Sequence, residues 1–144
     1  MPPITRVMAD SDLPMVALLS AQLGYTGPLE HFVDRYHELA ASDAHALFVA
    51  VADGAVVGWI HIRLHLALVD DPAAEVAALV VDAAQRGHGI GRSLMGKAEA
   101  WATDHGLRRI FLRSNVVRDD AHGFYARLGY EHTKTSHLFA KPLP

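Results

Sequence analysis

Six residues past the middle of the chain, Arg86-Gly87-His88-Gly89-Ile90-Gly91, have the types and spacing to hold an anion. They follow an apolar run, Glu75 to Val81, that predicts a strand, and they open an amphipathic run, Arg92 to His105, that predicts a helix. A glycine-rich turn from strand to helix leaves backbone N–H groups uncovered at the positive end of the helix dipole. The natural guest is a phosphate, so the turn implies a phosphorylated cofactor or substrate. Gly89 and Gly91 let the backbone approach phosphate oxygens closely, and Gly87 shapes the entry. Arg86 and Arg92 either add charge there or stay solvated. His88 is read as useful through its backbone N–H, with its imidazole incidental.

Two familiar phosphate loops do not fit. A nucleoside-triphosphate loop ends in Gly-Lys-Ser/Thr, whereas this one ends Gly91-Arg92-Ser93 with the wrong glycine spacing. A dinucleotide fingerprint needs G-x-G-x-x-G near a domain start and an acidic ribose ligand. Here Gly87, Gly89 and Gly91 alternate past mid-chain, without a second strand carrying that acid.

Other side chains could move protons. Glu75 stands at the edge of an apolar strand, where a carboxylate can take a proton or simply be solvated. Period-two alternation places it on one face with Leu79 and Val81. Tyr125 lies on a helical run with Ala121, Phe124 and Leu128, so it is either a packing aromatic or a phenol able to give up a proton. Gly123, inside that run, costs about 1 kcal/mol relative to alanine, for close approach to a ligand or for nothing. His61 and His65 share a strand face with Arg63 between them. They line a pocket, sit at a wet surface or bind metal; with no third ligand evident, no metal is expected. His122 is read as structural.

The elements that position these groups can be read in order. Ile4–Met8 predicts a strand. Asp10-Ser11-Asp12 and Pro14 open a helix carrying Val16, Leu19 and Leu23, stopped by Gly24. A second helix runs from Leu29 to Ala41. Leu47–Ala52 and Val56–Leu68 are strands joined by an Asp53-Gly54 hairpin turn. The Glu75–Val81 strand is apolar enough to be central. After the long helix come a strand, Ile110–Arg113, a helix from Asp119 or Asp120 through Leu128, and two final strand candidates, from Tyr130 and over Leu138–Lys141. The pattern is a mixed α/β layer structure with hairpins at its start and end.

A length of 144 residues fits one domain, 1–144, with a substantial core. With 51% hydrophobic and 20% charged residues the chain is of globular type, and its net charge of -3 gives no support for nucleic-acid binding. The absence of cysteine excludes disulfides, a thiolate nucleophile and a zinc–cysteine site. Met1-Pro2-Pro3 does not open a signal peptide, and no apolar run is long enough to span a membrane. A cytoplasmic protein is the expectation, with no membrane partner and a homodimer left open.

A third loop pattern, R/Q-x-x-G-x-G/A between a central strand and a long helix, matches Arg86, Gly89 and Gly91. With Leu79-Val80-Val81-Asp82 before it and Ser93-Leu94 after it, the stretch resembles the pyrophosphate loop of the GNAT N-acetyltransferase superfamily. Downstream, Asn115, Ala121, Phe124-Tyr125 and Leu128-Gly129-Tyr130 resemble that family's N-x-x-A-x-x-F-Y-x-x-x-G-F/Y segment, so the likeness covers nearly the whole chain. It implies a mostly antiparallel central sheet with splayed middle strands and helices on both faces. It also implies acetyl-CoA (coenzyme A) as cofactor and direct acetyl transfer to a primary amine of a small molecule or peptide. Leu79, Val80, Val81, the loop Arg86–Gly91, Arg92, Ser93 and Asn115 would bind the cofactor. The pantetheine arm would lie between Glu75–Val81 and Ile110–Arg113, and the Leu79 N–H would face the thioester oxygen. Tyr125 would be the general acid. Glu75 matches the catalytic glutamate of the histone acetyltransferase branch, with water as the alternative base, and Asn115 would bind pantetheine or cap the next turn. Acceptor walls would come from Gly24–Pro28 and His132–His137. Lys134–Phe139 loosely resembles bacterial aminoglycoside-like acetyltransferases, a fold-level analogy. The alternatives are a non-catalytic acyl-CoA sensor of the same fold and a nucleotide or dinucleotide binder.

Overall fold

The computed structural model describes residues 2–114 and 119–144. Asn115, expected to touch the cofactor, lies outside the described residues. The chain divides into two compact units, Met1–Leu112 and Arg113–Pro144.

The first unit is built on a five-stranded sheet whose spatial order follows the chain. The strands are β1 (Ile4–Val7), β2 (His45–Ala52), β3 (Ala55–His65), β4 (Ala73–Val81) and β5 (Ile110–Leu112). The first three pairings are antiparallel and β4–β5 is parallel. Helices α1 (Leu13–Ala21) and α2 (Leu29–Ala40) come between β1 and β2, and α3 (Ile90–Asp104) between β4 and β5. The β2–β3 turn is Asp53-Gly54, both with positive φ (51° and 78°), the geometry that matches the twist of a two-residue hairpin.

Alternation along β3 sorts the two faces. Ile60 and Ile62 are fully buried, and the neighbouring even position Gly58 lies under Ile90 and Leu94 of α3. Trp59 faces the other way and donates its indole N–H to Ser20 Oγ of α1 at 3.2 Å. On that side Met8, Leu13, Val16 and Val49 form a core with Phe32 and Tyr36 of α2 packed against it. The sheet therefore carries helices on both faces.

Asp12 fixes the entry to α1. Its carboxylate accepts from Arg6 Nη1 and Nη2 at 2.7 and 2.8 Å and from the Ala9 N–H at 2.8 Å. The Arg6 guanidinium holds its carboxyl below the usual range.

Two expectations change. β3 ends at His65 rather than Leu68, because pairing with β4 stops at His65↔Ala73; beyond it Leu66 and Leu68 are exposed. In the second unit, α4 (Asp119–Arg127) forms, but residues 130–144 form no strand. Leu138 and Phe139 are nine-tenths exposed, so the apolar pair that suggested the last strand buries nothing that would fix a register. Among the described residues no helix is long and apolar enough to cross a membrane.

Candidate active site

The turn after β4 is held by side chains on both sides. The Asp82 N–H donates to Val57 O at 2.9 Å, keeping the chain on β3 for one residue past the strand. The Asp82 carboxylate then accepts from the Ala84 N–H at 3.1 Å and from Gln22 Nε2 at 3.2 Å, while Gln22 Oε1 accepts from the Ala83 N–H at 2.9 Å. Gln22, at the end of α1, thus clamps the entrance of the loop, a contact that nothing in its local sequence signals. A single 3₁₀ turn, Ala83–Gln85, follows.

Gly87 and Gly89 adopt φ of 85° and 79°, the left-handed region that a side chain would strain. Gly89 is the residue before the first turn of α3, and its carbonyl accepts the first helical bond, from the Ser93 N–H at 3.0 Å. The N–H groups of Gly89, Ile90, Gly91 and Arg92 therefore stand ahead of the helical ladder. His88, read as incidental, has a structural part: its Nδ1 lies 3.1 Å from Gln85 O and closes the loop. Arg86 and Arg92 are exposed beside the turn, and Ile90 is buried beneath it. Two left-handed glycines, four N–H groups ahead of the helical ladder and two exposed arginines beside the turn fit a pyrophosphate.

Pairing between β4 and β5 stops at Val76, five residues before β4 ends. Their register covers Ala74↔Ile110, Glu75↔Phe111 and Val76↔Leu112 and no further. From Ala77 to Val81 the strand is laddered to β3 alone. Because the Asp82 N–H points at β3, two-residue alternation turns the Val80 N–H the same way. The Leu79 and Val81 N–H groups then point to the open edge, where an extended amide-bearing arm could add itself as a strand does.

The register also corrects the expected face of Glu75. Pairs run His61↔Ala78 and then Ile62↔Val76, so Ala77 is an extra residue in β4, a β-bulge. The bulge shifts the alternation by one. Glu75 is paired with Arg63 and shares its face with His61, Ala78 and Val80, not with Leu79 and Val81. Its carboxylate is 9% exposed and accepts from Arg63 Nε at 3.0 Å.

On this face lies a cavity of about 470 Å³ between α2, the α1–α2 loop and the sheet, touched by Tyr25, Arg35, Trp59, His61 and the two bulge residues Ala77 and Ala78. The loop Gly24–Pro28, expected as an acceptor wall, contributes Gly24, Tyr25 and Thr26. His61 Nε2 is 2.9 Å from Nδ1 of His45 on β2. Burial first, then His45 and Arg63, push the His61 ring down to about 4, with Glu75 opposing. His65, expected beside it, sits 3.5 Å from Asp70 and edge-on to Phe111.

Tyr125 belongs to the second unit. It lies on α4, with its ring edge-on to Phe124 and to Tyr130, and its carbonyl accepts from the N–H groups of Leu128 and Tyr130 at the helix end.

A family model described as the acetyltransferase (GNAT) family matches residues 14–130. The chain belongs to the GNAT acetyltransferase family. It stands among acetyl-CoA-dependent N-acetyltransferases. It is 29% identical over 120 residues to an aminoglycoside N(6')-acetyltransferase type 1 of Stenotrophomonas maltophilia, covering 81% of this chain and 76% of that one. It is 40% identical over 98 residues to an aminoalkylphosphonate N-acetyltransferase of Salmonella typhimurium, covering 66% and 61%. A human N-acetylaspartate synthetase is 34% identical over 95 residues, 66% of this chain but 30% of that protein. Among solved structures, AAC(6')-Iy in complex with a CoA-linked bisubstrate analogue aligns with a TM-score of 0.87 at 21% identity, covering 99% of this chain and 100% of that one. An aminoglycoside 6'-N-acetyltransferase of Acinetobacter haemolyticus aligns at 0.85 and 17% identity, covering 98% and 99%. These likenesses make the fold a GNAT fold, with the sheet and helices described above.

Proposed function

We propose that this GNAT-family protein transfers an acetyl group from acetyl-CoA to the primary amine of a small molecule by direct attack. The observation that carries the proposal is the continuity from the open β4 edge at Leu79 and Val81 into the left-handed glycine turn and the start of α3. That path offers backbone donors to an extended arm and then to a diphosphate. The named relatives, which acetylate amines of unlike structure, support the reaction type without choosing the acceptor.

Bound acetyl-CoA would supply an acetyl thioester, an activated carbonyl with a good leaving group. The turn, Arg86–Gly91 with Arg92 and Ser93, would hold its pyrophosphate, and the strand backbone of Leu79–Val81 its arm. The Leu79 N–H is a fixed donor for a carbonyl oxygen on which negative charge builds. Glu75, on the cavity face of β4, is proposed to take the ammonium proton directly or through water, freeing the lone pair that forms the new N–C bond. Tyr125 is proposed, on its motif, to give its phenolic proton to the departing sulfur. No covalent acetyl-enzyme on cysteine is required or available. The setting proposed for this chemistry is the cytoplasm.

The test is thiol release from acetyl-CoA across a panel of amines, with heat stabilisation by CoA, NAD and ATP alongside. Stabilisation by CoA with acceptor-dependent thiol release is the expected result. Binding of CoA without turnover of any amine would leave a sensor module instead, and stabilisation by NAD or ATP in place of CoA would sink the cofactor assignment.

A further inference from the structure

Which amine the cavity takes can be argued from its walls, and that inference rests on the acetyl-transfer reading. The cavity, about 470 Å³, lies in the lower part of the small-molecule range. Phe32, Leu39 and Trp59 give it apolar sides, and Ala77 and Ala78 make a floor with little bulk. Its one permanently charged lining residue is Arg35, which is also exposed to solvent, and no aspartate or glutamate lines it among the described residues. The acids nearest Arg35 on α2, Asp34 and Glu38, are exposed and are not part of the lining. Glu75, the carboxylate on the same sheet face, is already bonded to Arg63.

This arrangement discriminates by charge. A polycation would bring several ammonium groups to a cavity whose one nearby carboxylate, Glu75, can serve the reacting amine alone and is already bonded to Arg63, and each further ammonium stripped of water without a partner costs several kcal/mol. Arg35 would add like-charge repulsion. An acidic group on the substrate reverses both effects, because a guanidinium fork binds a carboxylate or phosphonate through two parallel charge-assisted hydrogen bonds. The apolar sides then need a hydrocarbon or aromatic body to replace water. We propose that the acceptor is a compact primary amine with an apolar body and one acidic group, and that Arg35 is the residue that selects it over polycationic amines.

The test presents the purified full chain and acetyl-CoA with phenylalanine, its aminophosphonate analogue, phenethylamine, spermidine and kanamycin. The two acidic amines are expected to exceed phenethylamine in kcat/KM by about tenfold or more, the scale of one good charge-assisted contact, with spermidine and kanamycin lower still. Arg35→Glu should remove that advantage mainly through KM, and Arg35→Lys should keep part of it. Kanamycin or spermidine as the best acceptor, or an unchanged ranking in Arg35→Glu, would overturn the proposal. If no amine releases thiol, the acetyl-transfer reading has failed, and binding decides the cavity's preference. Heat stabilisation of the CoA-saturated chain by phenylalanine or its phosphonate, lost in Arg35→Glu, supports it. Stabilisation by kanamycin alone, or by none of the five, overturns it.

Discussion

Nε2 of His61 and Nδ1 of His45 share a hydrogen bond of 2.9 Å across neighbouring strands, with ring centroids 5.1 Å apart. One nitrogen must donate and the other accept, so the contact requires at least one neutral ring. His61 is the ring held neutral. It is faced by His45 from β2, Arg63 from its own strand, Glu75 from β4, and Arg35 and Tyr36 from α2 across the cavity.

A pH-dependent stability follows from that pair. Unfolded, His61 binds a proton near its ordinary 6.5; folded, it does so only near 4. As pH falls through 6.5 the unfolded chain gains a proton that the folded chain refuses, so stability is lost between pH 6.5 and 4 and levels off below. The loss is on the order of 1–2 kcal/mol, reduced from the full linkage value because the ring is partly open to solvent. Urea unfolding of the wild type and His61→Gln across this range measures it. Equal losses in both proteins would remove His61 as the cause.

Gly58 is required by the packing of α3. A Cβ there would stand 2.9 Å from Val80 O, 3.1 Å from Ile90 Cγ2 and 3.2 Å from Leu94 Cδ1. The first of these neighbours is backbone in the middle of the sheet and cannot swing away. Gly58→Ala should therefore destabilise by about 1–3 kcal/mol. It should also weaken heat stabilisation by CoA, because Ile90 seats the turn that carries the uncovered N–H groups. A variant as stable as wild type with unchanged CoA response would show that α3 is free to shift.

What the sequence made legible is what short-range rules encode. The Asp53-Gly54 turn, the left-handed Gly87 and Gly89, and the amphipathic helix after them are each specified by a few adjacent residues. The close approach at Gly58 was not among the sequence readings, although an isolated glycine in an alternating strand is a usable sign of it. The bulge at Ala77 was not legible, because Val76-Ala77-Ala78 carries no alternation in which a one-residue slip could be seen. The face of Glu75 was misread for that reason. The His45–His61 contact depends on strand register, and the Gln22 clamp joins residues about sixty positions apart, so neither leaves a local trace.

Asp12 supplies a stability prediction away from the cavity. It is 5% exposed and satisfies both Arg6 and the Ala9 N–H. Asp12→Ala would leave the backbone donor and the guanidinium without that acceptor, at a cost of about 2–4 kcal/mol. Since Arg6 lowers its folded pKa, the wild-type contribution is present above its ordinary 3.8 and is lost as pH falls below it. The wild type should thus lose the His61 contribution first and the Asp12 contribution at lower pH. Chemical unfolding of Asp12→Ala at pH 7 and pH 3 checks this: the difference from wild type should shrink at the lower pH, and a constant difference would contradict it.

Tyr125→Phe tests the chemistry with the smallest change, one hydroxyl. If the phenol protonates the departing sulfur, its loss should lower kcat by about 10²-fold or more, the usual range for one positioned acid. The KM for the acceptor and heat stabilisation by CoA should stay near wild type, because the role proposed for the hydroxyl is proton donation in the transition state and not ground-state binding. A proton donor must be protonated to act, so wild-type kcat should fall at alkaline pH with an apparent pKa that is absent from the variant. A packing tyrosine predicts another pattern: lower thermal stability through changed contacts with Phe124 and Tyr130, with the pH profile of kcat unmoved. Steady-state rates from pH 6 to 10, set beside melting curves of both proteins, separate the two, and an unchanged kcat in Tyr125→Phe would exclude the acid role.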